Sequence, residues 1–173
     1  MILTLDDVTP PIGEIEETGT TLEENALIKA RAVHQATGLA ALADDTGLEV
    51  EALGGAPGVY TARYAGPDAT YADNVNKLLR ELAGTKGPRR ATFSTVIAFV
   101  SSDEAAQTFR GEVLGVITGE ARGTNGFGYD PVFAPVEDAA ERTFAEMSED
   151  EKHAVSHRGR AFRQLVAMLD RRV

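Results

Sequence analysis

Residues Ala91 to Val100, Ala-Thr-Phe-Ser-Thr-Val-Ile-Ala-Phe-Val, read as a buried strand, and a buried strand needs other layers to cover it. The material for those layers stands on either side. Ala106 to Val113 forms a second strand to pair with it, and Gly115 to Thr118 extends the sheet. Val132-Phe133, Leu48 to Leu53 and Ile2 to Leu5 are further strand candidates, and Leu39 to Ala43 is a brief apolar run. Thr20-x-x-Glu23 and Thr21-x-x-Glu24 are overlapping capping boxes ahead of a helix with Leu22, Ala26, Val33 and Ala36 near one face and a stop at Gly38. Asp68 is placed to cap a helix carrying Val75, Leu78, Leu79 and Leu82. Ser148-x-x-Glu151 opens a helical end in which Gly159 marks a junction and Ala161, Leu165, Met168 and Leu169 form the apolar stripe. Strands interspersed with helices imply an α/β fold: a mixed, twisted central sheet with helices on both faces.

Composition excludes several kinds of chemistry. The 173 residues contain no cysteine, so thiol catalysis, disulfides and cysteine-bound zinc are ruled out, and a chain this long buries enough surface to fold as one domain without them. The net charge is −10, and residues 1–62 carry −9 of it, with 11 Asp and Glu against Lys29 and Arg31. No basic stripe is available to displace counterions from a nucleic acid. Neither a signal peptide nor an apolar run of membrane-spanning length is present, which implies a cytoplasmic protein.

Four groups of residues could carry chemistry. Asp44-Asp45 followed by Thr46-Gly47 would sit at a strand end and offer hard oxygen ligands suited to magnesium, with the two side chains on opposite sides. Two aspartates capping a loop would read the same way. Glu16 and Glu17 form a second acidic pair, and Asn25 and Lys29 share a helix face at i, i+4, a spacing also typical of a solvated helix surface. Gly123 to Asp130 matches neither the dinucleotide fingerprint nor a P-loop, which disfavours an NAD-binding oxidoreductase. With Phe127, Tyr129 and Asp130 it could instead bring backbone, a stacking ring and an acceptor to a planar ligand, or simply bury two aromatics in a turn. His153 and His157 lack the glutamate of a zinc protease, whereas Lys152, His157 and Arg158 offer donors near a helix start.

Taken together and in order, Glu16-Glu17-Thr18-Gly19, Glu24-Asn25-Ala26, Leu42 to Leu48, Gly54 to Tyr60, Ala62-Arg63-Tyr64, Gly126 to Pro131 and Ser156 to Gly159 resemble the inosine/xanthosine triphosphate pyrophosphatases. The resemblance implies a magnesium-dependent hydrolase, homodimeric, with a nucleotide cleft between two lobes, which converts dITP, ITP and XTP to the monophosphate and pyrophosphate. By motif, Asp45 becomes the metal-linked general base and Glu17 or Glu16 a further metal ligand. Thr46 becomes a substrate contact and Lys29 a phosphate contact. Phe127, Gly128, Tyr129, Asp130, Lys152, His157 and Arg158 make the nucleotide pocket. The family's chains open with a strand and a Thr/Ser-x-Asn-x-x-Lys turn into a helix. Residues 1–173 are therefore expected to be a single domain lacking roughly 20–25 residues of that unit. The alternative function is a nucleotide-binding or dimerisation module whose catalysis is impaired for want of the phosphate grip.

Overall fold

The structure, a computed structural model, describes residues 2–101, 103 and 105–172. Five strands form one sheet in the order β2-β1-β3-β4-β5: β1 (Ala41–Val50), β2 (Pro57–Gly58), β3 (Arg90–Val100), β4 (Ala106–Ile117) and β5 (Phe133–Pro135). Every pairing among the described residues is antiparallel. The helices are α1 (Leu22–Thr37), α2 (Tyr71–Glu81), α3 (Glu149–Val155) and α4 (His157–Leu169).

β3 is the spine, paired with β1 and β4 along its whole length. Its alternate side chains enter different layers. On one face Val96, Ala98 and Val100 pack with Leu22, Ala26 and Ala30 of α1. On the other Ile97 meets Ala161 and Leu165 of α4, while Phe93 joins a larger core with Leu48, Val75, Leu78, Phe133 and Phe144. Each large apolar side chain so buried contributes roughly 1.5–3 kcal/mol. The expected layering, helices on both faces of a central sheet, is therefore present.

Several elements differ from their sequence reading. Asp44-Asp45 is not at a strand end: β1 continues through Asp44-Asp45-Thr46-Gly47, each residue registered on β3 from Ala41↔Val100 to Val50↔Ala91. The two aspartates lie in mid-strand because the long partner ladder overrides their turn preference. Residues 51–53 turn as a 3-10 helix, ending on Gly54. Residues 2–4 form no strand, Leu5–Asp7 is a 3-10 turn, and Ile2 is 93% exposed, since no ladder partner reaches it among the described residues. The cap of α2 is Thr70 rather than Asp68, because Asp73 completes a reciprocal pair with Thr70. Gly159 lies inside α4, and the break falls at Ser156, which ends α3 and caps α4. In α1 the buried stripe is Leu22, Asn25, Ala26 and Ala30, leaving Ala36 exposed.

Candidate active site

Asp45 and Thr46 are chain neighbours in β1, so their side chains leave on opposite faces of the sheet. Two clusters result. On the α1 face, Lys29 Nζ donates to Asp45 Oδ1 at 2.7 Å and lies 2.8 Å from Glu17 Oε1, so one ammonium holds two carboxylates. Its position follows from the helix register: Thr21 caps α1 by accepting from the Glu24 amide, and Lys29 emerges two turns later over β1. Arg63, from the 3-10 turn Thr61–Arg63, brings Nη1 within 3.7 Å of Glu17 Oε2. Burial opposes the Lys29 charge, but its hydrogen bonds to Asp45 and Glu17 outweigh that and raise its affinity for the proton. Burial pushes the Asp45 carboxyl above the ordinary aspartate range, against the opposing hydrogen bond from Lys29. A partly buried carboxylate with raised proton affinity is suited to accept a proton from water.

Glu16 is exposed and Glu17 partly buried, as adjacent residues of an extended loop are, and only Glu17 joins Asp45. Among the described residues no three His, Asp or Glu side chains stand close enough to enclose a metal. Two carboxylates on one side of an open site nevertheless fit magnesium, which keeps waters and takes its remaining oxygens from a phosphate. Glu17 and Asp45 are the residues that would hold it.

On the opposite face lies a cavity of about 430 Å³, lined by Thr46, Phe93, the glycine loop and the facing ends of α3 and α4. That size is right for a small ligand. The two aromatics of the loop divide. Tyr129 is 2% exposed and donates its hydroxyl to the Thr61 carbonyl at 3.0 Å, while Phe127 is 50% exposed and presents its ring to the cavity. The loop is held by Asp130, whose Oδ2 accepts from the Phe127 amide at 2.7 Å and from Lys152 Nζ at 2.5 Å. Gly126 adopts φ +74°, and a Cβ there would lie 2.1 Å from that same Oδ2, so only glycine closes the turn. Gly128 follows at φ +61°. Lys152 Nζ lies 4.9 Å from the centre of the Phe127 ring and the Arg158 guanidinium 5.5 Å, which sets two cations beside this ring.

α4 supplies the far wall. Its first turn presses on β4 at Gly111, where a Cβ would lie 2.1 Å from the His157 carbonyl. His157 stacks on Phe93 with ring centres 4.3 Å apart and planes 6° from parallel. Burial, then the charges of Arg158 and Lys152, depress its pKa to about 3, so the ring is neutral at physiological pH. Its Nδ1 is buried and takes no partner among the described residues. Arg158 Nε and Nη2 donate to Asp44 Oδ2 at 3.3 and 2.9 Å, leaving Nη1 for a ligand. Thr46 Oγ1 bonds Thr95 Oγ1 at 2.6 Å on the same wall.

The structure thus gathers Glu17, Lys29 and Asp45 on one face and Thr46, Phe127, Gly128, Tyr129, Asp130, Lys152, His157 and Arg158 around the cavity on the other. Asp44, on the cavity face, pairs with Arg158. Sequence reasoning missed Phe93, Tyr71 and Arg63. Phe93 reads as one more apolar residue of a strand, and nothing local marks its stacking on His157. Tyr71 meets Phe127 at 6.1 Å only through tertiary folding. Arg63 stands in a quoted motif, but its approach to Glu17 depends on the 3-10 turn.

Known proteins are similar to this chain over most of its length. The chain is 51% identical over 158 residues to the dITP/XTP pyrophosphatase of Bacillus licheniformis, covering 91% of this chain and 80% of that one. With the dITP/XTP pyrophosphatase of Mycolicibacterium paratuberculosis it is 52% identical over 170 residues, 98% of this chain and 82% of that one. The solved Ham1 protein of Staphylococcus aureus superposes with a TM-score of 0.88 at 41% identity, covering 95% of this chain and 84% of that one. The Ham1 family model matches residues 1–168, and on that match and those identities the chain belongs to the Ham1 family.

Proposed function

We propose that this protein hydrolyses the deaminated purine nucleotides dITP, ITP and XTP to the monophosphate and pyrophosphate. The observation that carries the reading is the division of labour across β1: a lysine-bridged pair of carboxylates on one face and a ring flanked by two cations on the other. The names and identities of the Bacillus and Mycolicibacterium relatives support the same activity.

The base stacks on Phe127, where Lys152 and the free Nη1 of Arg158 donate to the oxygen at C6 of hypoxanthine or xanthine. Adenine carries an amino donor at that position and leaves these donors opposed, a mismatch that can discriminate by about 10⁴–10⁵ in favourable sites. The phosphates pass over the rim of β1 toward Lys29, whose ammonium neutralises them. Asp45 orients a water and takes its proton as the water oxygen bonds to the phosphorus nearest the sugar. The bond from that phosphorus to the bridging oxygen breaks, and pyrophosphate leaves with the electron pair. Magnesium held by Glu17 and Asp45 would supply charge neutralisation at the phosphate oxygens.

As further parts of the same proposal, residues 1–173 act as one domain, two copies pair as a homodimer, and the protein works in the cytoplasm, where the nucleotide pool it would serve resides. The described helices include none long and apolar enough to cross a membrane. Hydrolysis of ITP in ¹⁸O-labelled water tests the chemistry: label in IMP and none in pyrophosphate is expected. Label in orthophosphate, or binding of ITP with no cleavage, overturns the reading, the second outcome marking a nucleotide-binding module instead.

A further inference from the structure

Asn25, on the first turn of α1, is fully buried beside the acidic site and plays no part in the steps above. Its Oδ1 accepts from the Gly19 amide at 2.8 Å and so ties the loop that carries Glu17 to the helix. This bond fixes the orientation of the amide, because the oxygen must face the Gly19 donor and the nitrogen must face away from it. Nδ2 is buried and has no partner in hydrogen-bond geometry. Asn25 lies one turn before Lys29 on the same face of α1, and Lys29 reaches Asp45, so the amide stands on the side of the helix that covers the acidic site. Leaving a buried donor unmet is costly, and the other buried positions of α1 are filled by Leu22, Ala26 and Ala30. An amide here needs a task that an apolar side chain could not perform.

We propose that Asn25 is a positioning residue for Asp45: Oδ1 holds the Glu17 loop in place, and Nδ2 donates to the Asp45 carboxylate when a phosphate draws Lys29 away from it. The inference rests on the roles given to Asp45 and Lys29 under the proposed function. At present Lys29 divides its donors between Asp45 and Glu17. A polyanionic substrate competes for the same ammonium, and the Asp45 carboxylate then loses the strong donor that it has among the described residues. A buried donor on the same helix, turned away from Gly19 and not otherwise engaged, takes its place.

Two variants separate the halves of this role. Asn25→Asp keeps the volume and an oxygen for Gly19 but removes the donor; Asn25→Ala removes both. With ITP, Asn25→Asp is expected to lower kcat at least 30-fold while KM stays within threefold. A kcat within twofold overturns the proposal, since it reduces Asn25 to a loop tether. A second readout needs no turnover. Titration with inorganic triphosphate should move the side-chain amide resonances of Asn25, and this response should vanish in Asp45→Ala. Resonances that stay fixed while those around Lys29 respond, or that move equally in Asp45→Ala, overturn it. Failure of the underlying function looks different: the unsubstituted protein releases no pyrophosphate and triphosphate moves nothing near Lys29.

Discussion

At Asp45 and Thr46 a single peptide bond separates the cluster of Lys29 and Glu17 from the cavity beside Phe127. Asp45→Asn keeps the shape and removes the proton acceptor, so kcat for ITP should fall at least about 10²-fold with KM changed only a few-fold, measured by steady-state pyrophosphate release. Phe127→Ala should do the reverse, raising KM about 10-fold or more, because a base stacked on an aromatic ring gains roughly 1–3 kcal/mol. Arg158→Ala should lower the preference for ITP over ATP by about 10-fold, read from the ratio of kcat/KM values, and it also frees Asp44. Asp45, Phe127 and Arg158 were legible as candidates from their motifs, and Lys29 from its place one turn after Asn25. Their partners were not: Lys29 holding both Asp45 and Glu17, and Asp44 holding Arg158, are contacts across 12 to 114 positions of sequence. The choice between Glu16 and Glu17 also waited for the loop's orientation.

Among the elements, those with a local signal were legible and those decided by a distant partner were not. The capping boxes at Thr21 and Ser148 mark real helix starts, since both halves of each bond lie within four residues. The stretch Asp44 to Gly47 looks like a turn in isolation and is a strand because ten residues of β3 pair with β1. Asp68 and Thr70 offer a direct comparison of competing caps. Thr70→Ala should destabilise the fold by about 1 kcal/mol, whereas Asp68→Ala should change it by less than about 0.5 kcal/mol, both measured by denaturant unfolding. Equal losses would put the helix start elsewhere.

For the whole molecule, the sheet is a partition, with the Lys29–Asp45–Glu17 cluster on the face under α1 and the cavity on the face under α4. The α/β layering follows from the spacing of apolar segments; the cavity does not, because it arises where the glycine loop, α3 and α4 converge. Stability should carry a signature of that convergence. His157 stays neutral in the folded state until about pH 3 but titrates near 6.5 when unfolded, so its contribution is complete above pH 6.5 and is lost as the pH falls toward 3. The thermal midpoint should therefore drop on acidification, and less steeply in His157→Phe, which keeps the stack on Phe93. Chelation of magnesium should abolish turnover without unfolding the protein. The most direct test of the account is pyrophosphate release from ITP and ATP at equal concentration with magnesium. The prediction is stoichiometric IMP and pyrophosphate from ITP, at least about 10²-fold slower reaction with ATP, and loss of both in Asp45→Asn. Equal rates with the two nucleotides, or an Asp45→Asn variant as fast as the unsubstituted protein, would contradict it.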